Sequence, residues 1–295
     1  MTGCSFVLVD VFTQRPFSGN SLAVFPDGCG LTGSQMLAIT QELRHFESVF
    51  LAPTADPHVV EARVFDLIRE LDFAGHPIMG AAAVLHRLAA AAGNIETWSF
   101  RLPAKTVPVS TARTATGFQV ELDQGRPEFG AELPEERVAE FAGALNLSAT
   151  DLTAGLRPAV VSTGLRYLVV PVESGLEHAR ITCTDFEEML ASVGAEFAYV
   201  VDVVRMEGRH WNNDGLLEDV ATGSGAGTVA AYLTRHRRVP TNQPFQLRQG
   251  RFVGRPSEIT LTSLGSAGNI RSVRVGGPVA AVGHGHLDAV PIEAV

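Results

Sequence analysis

Leu71-Asp-Phe-Ala-Gly-His-Pro-Ile-Met-Gly80 and Glu218-Asp-Val-Ala-Thr-Gly-Ser-Gly-Ala-Gly227 are the two stretches that decide the fold. Each is a glycine-rich turn running directly into an apolar, alanine-rich segment, Ala81–Leu88 in one case and Thr228–Leu233 in the other. That pattern reads as a loop opening a helix. A helix start leaves backbone N–H groups without intrahelical partners at the positive end of the dipole, and such groups bind carboxylates or phosphates. One turn of this kind in each half predicts a duplicated architecture holding one anionic small molecule between two helix starts.

The elements around the two turns follow one plan. Phe6–Phe12 and Leu22–Phe25 predict two strands joined by the wide loop Thr13-Gln-Arg-Pro-Phe-Ser-Gly-Asn20. Thr32 predicts an N-cap for a helix over Gly33–Arg44, with Met36, Leu37, Ile39, Thr40 and Leu43 on one face. Glu47–Leu51 and Ala62–Phe65 read as strands, and His76–Ala92 as a long apolar helix central to its half. Thr106–Ser110 and Gln119–Leu122 read as closing strands. The second half repeats the order. Ala159–Pro171 holds two strands around Ser162-Thr-Gly164, followed by a short helix at Asp185–Val193 and a strand at Ala198–Arg205. Then come the second glycine turn, a helix over Gly225–His236, and strands at Phe245–Gln249, Glu258–Leu261 and Ser272–Val275. The repeat is about 130 residues long. It divides the chain near Gly130, into halves 1–130 and 131–295. Strands and helices mixed through short connections predict an α+β fold.

Composition narrows the function. With 295 residues, 45% of them hydrophobic, the chain can bury a large core. A formal net charge of −9 disfavours nucleic acid and anionic membrane surfaces as partners. Lys105 is the sole lysine and lies in the linker-like Pro103-Ala-Lys-Thr-Val-Pro108, so a pyridoxal Schiff base is not expected. Cys4, Cys29 and Cys183 are widely spaced, with no CxxC or Cys/His cluster, so no structural metal is expected. The N-terminal segment reads as a strand, not a leader, and no apolar run reaches ~18 residues. A reducing, cytoplasmic setting is the expectation. His284-x-His286 lacks a third ligand nearby, and Arg235-His-Arg-Arg238 reads as a solvated helix end.

Several stretches, in order along nearly the whole chain, resemble the phenazine-biosynthesis isomerase family. They are Val9-Asp-Val-Phe12, Ser18-Gly-Asn20 with Leu22-Ala-Val24, Phe73-Ala-Gly-His-Pro77, Glu218-Asp-Val-Ala-Thr-Gly-Ser224, Gln249-Gly250 with Gly254-Arg-Pro-Ser257, and Val275-Gly-Gly277. The resemblance implies a diaminopimelate-epimerase-like fold of two pseudo-symmetric domains, each a curved, mostly antiparallel sheet wrapped around a central helix, with the site in the cleft between them. It also implies a C2 homodimer and no cofactor. Glu47 occupies the family's catalytic carboxylate position. Its apolar sequence neighbours Phe46, Val49 and Phe50 suit such a role, because desolvation disfavours the charged form of a carboxyl and so fits it to carry a proton. The resemblance implies that His76 and Asp219 are catalytic too: His76 contacts the substrate and handles protons, and Asp219 is the second acidic residue, which with His76 orients the substrate. The Gly75, His76, Gly223 and Ser224 amides are placed to bind its carboxylate, and Asn20 is a further polar contact.

Related enzymes of this fold use two cysteines as acid and base. Those positions correspond here to Ala74 and Thr222, which disfavours a two-cysteine racemase. Phe46, Val220 and Asp66-Leu67 depart from the family pattern and alter the walls around Glu47, His76 and Asp219. The expectation is an isomerase without cofactor or metal. It moves a proton along a small unsaturated, amino-acid-derived carboxylic acid in secondary-metabolite, antibiotic-type biosynthesis. The alternatives are an epimerase or dehydratase of a small amino acid, and an inactive small-acid binding protein.

Overall fold

The computed structural model describes residues 3–28, 30–72, 74–89 and 93–292. Cys29, Phe73 and the helix end expected at Ala92 lie outside the described residues. The chain forms two compact units. One comprises residues 1–122 with 276–295, and the other residues 123–275.

In the first unit, β1 (Cys4–Val11), β2 (Asn20–Phe25), β3 (Glu47–Pro53) and β4 (Val59–Asp66) precede the short β5 (Glu70–Leu71). β6 (Ile95–Arg101), β7 (Thr106–Thr114) and β8 (Gly117–Asp123) follow. β1 pairs antiparallel with β2, and β2 parallel with β3. β3 pairs antiparallel with β4, and β4 parallel with β6. β6, β7 and β8 then meander antiparallel. The helix α2 (Gly75–Leu88) packs on one face against β1, β2, β3, β6 and β7. Its close approach needs Gly80, where an added Cβ would lie 2.5 Å from Leu22 Cδ2 and 3.1–3.2 Å from the Val11 and Val9 methyls. The other face carries α1 (Gly33–Leu43), whose Met36 and Ile39 bury Ala23, Phe25, Phe50 and Phe65. Thr32 caps α1 in a full capping box with Gln35.

The second unit repeats this succession. β9 (Glu128–Glu132) and α3 (Glu135–Ala144) lead in, then β10 (Ala159–Ser162), β11 (Arg166–Val172), α4 (Phe186–Ser192), β12 (Phe197–Asp202) and β13 (Glu207–Arg209). After α5 (Gly223–Arg235) come β14 (Phe245–Gln249), β15 (Ser257–Ser266) and β16 (Asn269–Leu287). β10–β11 is antiparallel, β11–β12 parallel, β12–β13 antiparallel, β13–β14 parallel and β14–β15 antiparallel. This alternation reproduces that of β1 through β7, so the internal repeat is real at the level of pairing. α5 covers one face, and Phe141 of α3 and Phe186 and Leu190 of α4 cover the other, against Leu168, Val170 and Val200. The expected α+β class, with one central helix on a mostly antiparallel sheet in each unit, is what the chain forms.

Several expected boundaries are corrected. α2 stops at Leu88, because Ala89 turns extended (φ −74°, ψ 101°). β12 ends at Asp202, whose Oδ1 accepts from the Val204 and Arg205 amides at 2.9 and 2.7 Å and forces a turn. β16 runs far beyond Ser272–Val275, and its later residues pair antiparallel with β1, placing His284 opposite Val7 and His286 opposite Ser5. β5, β6, β9, β13 and α3 are elements beyond those the sequence predicts.

Candidate active site

The first helix start brings two titratable side chains together. Glu47 opens β3, paired in register with Leu22 of β2 and Asp66 of β4. Side chains alternate along a strand, so Glu47 and Val49 share the α2 face, while Phe50 belongs to the α1 cluster on the opposite face. The sequence reading that put Phe50 beside the carboxyl is therefore corrected. Val49 and Leu22, both fully buried, supply the apolar surroundings. Phe46 is half-buried just before β3. His76 stands in the first turn of α2, and its Nδ1 lies 3.4 Å from Glu47 Oε2. Glu47 is 9% exposed and His76 8%. Water is thus largely kept from the pair, which strengthens electrostatic interaction between them.

The α2 start has no side-chain cap, since its N-cap residue is Ala74. Among the described residues an added Cβ at Gly75 would meet Leu122 alone, at 3.9 Å, so packing does not require glycine there. Asn20, at the start of β2, is 2% exposed. By strand alternation it shares the face of Leu22 and Glu47.

The second helix start is built as a hydrogen-bond network. Thr222 is the N-cap residue of α5, and its Oγ1 donates to Asp219 Oδ2 at 2.6 Å. Gln249, on β14, is saturated. Its Nε2 donates to Asp219 O and to Thr222 Oγ1, both at 3.0 Å. Its Oε1 accepts from Thr222 N at 3.0 Å and from Tyr199 Oη at 2.8 Å. Gly250 follows in the left-handed region (φ 82°), where an added Cβ would lie 2.5 Å from Val220 O. This explains the Gln249-Gly250 pair physically: it braces the Asp219–Thr222 turn from behind. Ser224 Oγ shares a 2.8 Å hydrogen bond with Tyr167 Oη. Glu218 is structural, forming a bidentate pair with Arg209 at 2.9 and 2.6 Å. The Arg209 guanidinium stacks between Trp211 and Phe252.

Sequence reasoning missed His210. Its backbone O accepts from Asp219 N at 2.9 Å, and its Nδ1 donates to Ala198 O at 2.9 Å, which fixes the tautomer with the proton on Nδ1. The ring lies among Tyr167, Phe197 and Tyr199. Burial pushes the His210 imidazole below its ordinary range, against the opposing pull of the Asp219 charge. Burial pushes the Tyr167 and Tyr199 hydroxyls up, so both stay protonated. No local signal marks His210, since its neighbours come from β11, β12 and the Asp219 turn. Among the described residues no group of His, Cys, Asp and Glu side chains could hold a metal ion, and no helix is long and apolar enough to cross a membrane.

Known proteins of one family resemble this chain over nearly its whole length. The sequence pattern of the family described as phenazine biosynthesis-like protein matches residues 9–285. A trans-2,3-dihydro-3-hydroxyanthranilate isomerase of Pseudomonas aeruginosa is 30% identical over 299 residues, covering 95% of this chain and 98% of the relative. A solved structure described as a predicted epimerase of the same species superposes with a TM-score of 0.88 at 46% identity, covering 97% of this chain and 99% of its own. A probable proline racemase from Agrobacterium radiobacter shares the fold, with a TM-score of 0.60 at 13% identity, covering 98% and 93%.

Proposed function

Because the chain belongs to the phenazine biosynthesis-like family, we propose that it is a cofactor-independent isomerase in which Glu47 is the general acid and base. The single observation that supports this reading most is the Glu47–His76 pair, nearly dry and 3.4 Å apart at an uncapped helix start. Glu47 takes a proton from an allylic carbon of a small unsaturated, amino-acid-derived acid and returns it to another carbon of the conjugated system. His76 and Asp219 hold the substrate's amino or hydroxyl group. The Gly75, His76, Gly223 and Ser224 amides bind its carboxylate, with Asn20 as a further polar contact and half-buried Phe46 forming part of the wall. The setting is secondary-metabolite biosynthesis in the cytoplasm, by a C2 homodimer.

Trans-2,3-dihydro-3-hydroxyanthranilate, named for the Pseudomonas relative, is the first substrate to test. Turned over in D2O, the wild-type protein should shift the double bond and incorporate deuterium at the receiving carbon. Glu47→Gln should lower that rate about 10²–10⁴-fold. Unchanged turnover in the variant removes Glu47 from the mechanism. A second reading, epimerisation, draws on the structural neighbour described as an epimerase. The same spectra separate the two, because inversion at the α-carbon without double-bond migration would favour epimerisation. Ala74 and Thr222, the N-cap residues of α2 and α5, stand against a two-cysteine form of that chemistry.

A further inference from the structure

Arg235-His-Arg-Arg238 closes α5, where cations suit the negative end of the helix dipole. That explains the charge but not its placement. Arg235 and Arg237 line, together with Arg126, an open depression of about 370 Å³, whose walls include Phe129, Gly268 and Asn269. The size suits a small molecule.

Each part is held in position. The Arg235 guanidinium lies 4.3 Å over the Phe129 ring. Arg126 Nη2 donates to Asn269 Oδ1 at 3.1 Å. The turn bearing Gly268 is braced by Asn242, which exchanges two 2.9 Å hydrogen bonds with Gly265. Arg237 sits in the left-handed region (φ 56°), where Arg238 N returns to Leu233 O at 2.8 Å as in a Schellman motif. Glycine takes that position with least strain, so a side chain there carries a backbone penalty.

The charges are also not neutralised. Among the described residues none of these three guanidinium groups forms an ion pair. This occurs in a chain of net charge −9.

We propose that this depression binds a small ligand through a phosphate group. A carboxylate offers two oxygens and one charge, too few for three guanidinium groups. A phosphate brings three acceptor oxygens and a charge of roughly −1.5 to −2 at neutral pH. The planar forks of arginine match it bidentately. The depression shares no residue with Glu47, His76 or the Asp219–Ser224 turn.

The test is a ¹⁵N NMR titration of the full chain with inorganic phosphate, and separately with acetate, at constant ionic strength. Phosphate should shift the Gly268 and Asn269 amides saturably and more tightly than acetate. Arg237→Gly should weaken phosphate about tenfold, the scale of one charge-assisted hydrogen bond. Its melting temperature should hold or rise, because glycine relieves the left-handed strain. Arg126→Gln should weaken phosphate in the same direction. Absence of saturable shifts, acetate binding as tightly as phosphate, or unchanged affinity in Arg237→Gly would each overturn the proposal.

Discussion

The starts of α2 and α5 are the same device built two ways. Both are glycine turns opening a buried helix, and neither N-cap side chain satisfies the helix amides. At α2 the neighbouring chemistry is a buried acid and imidazole, Glu47 and His76. At α5 it is a saturated scaffold in which Gln249 ties Asp219 and Thr222 to Tyr199. The difference is one of construction: the α2 start lies beside a buried acid–imidazole pair, to which the proposed function gives the proton transfer, whereas the α5 start is fixed by hydrogen bonds among its own neighbours.

The largest stability effect should separate the two packing glycines. At Gly225 an added Cβ would sit 2.5 Å from Tyr199 Cδ2 and 3.2 Å from Tyr167 Cε1, both on rigid rings held by hydrogen bonds. At Gly80 the nearest atom is the end of the flexible Leu22 side chain. Gly225→Ala should cost about 3 kcal/mol and Gly80→Ala about 1 kcal/mol, from urea unfolding midpoints. Equal costs would break the contrast between a rigid and a yielding surround.

A pH profile sharpens it next. His210 and His236 are both held below their ordinary value, chiefly by burial. The unfolded chain then binds protons that the folded chain does not. Their contribution is present above about pH 6.5 and is lost as pH falls below it, with a slope of up to about 1.4 kcal/mol per pH unit per proton. His210→Asn, which can still donate to Ala198 O, should flatten the acid limb of melting temperature against pH, leaving the His236 share. An unaltered limb would remove His210 from the linkage. The raised Tyr167 has the opposite sign: stability is full below pH 10 and is lost as pH rises above it.

The smallest effect concerns a helix start that is capped. Gln35 N donates to Thr32 Oγ1 at 3.4 Å, and Thr32 N to Gln35 Oε1 at 2.9 Å. Thr32→Ala should cost about 1 kcal/mol by thermal unfolding. A negligible cost would mean that capping contributes little in this fold, and that the bare start at Ala74 carries no special meaning.

Much of this was legible in the sequence because the signals are local. The Thr32 box, the two glycine turns and the strand–helix order all lie within a few residues of what they specify. Other elements carry weaker local signals. Pro134-Glu-Glu136 announces α3, with Pro134 as its N-cap residue and two acids in its first turn. Thr97-Trp-Ser-Phe-Arg101 alternates polar and aromatic residues, a strand pattern, and lies in β6. His210 is different, since nothing beside it in the chain reveals the Tyr167, Phe197 and Tyr199 rings that enclose it.

By itself the sequence determined most of the elements, their doubled order and the family, because backbone preferences, caps and hydrophobic period act over a turn or a strand. Only the tertiary structure decided that Glu47 faces His76 rather than Phe50, that Gln249 braces Asp219, and that β16 returns to pair with β1. Those choices join residues far apart along the chain, and the closest packing of whole faces, not any local preference, selects among the pairings open to them.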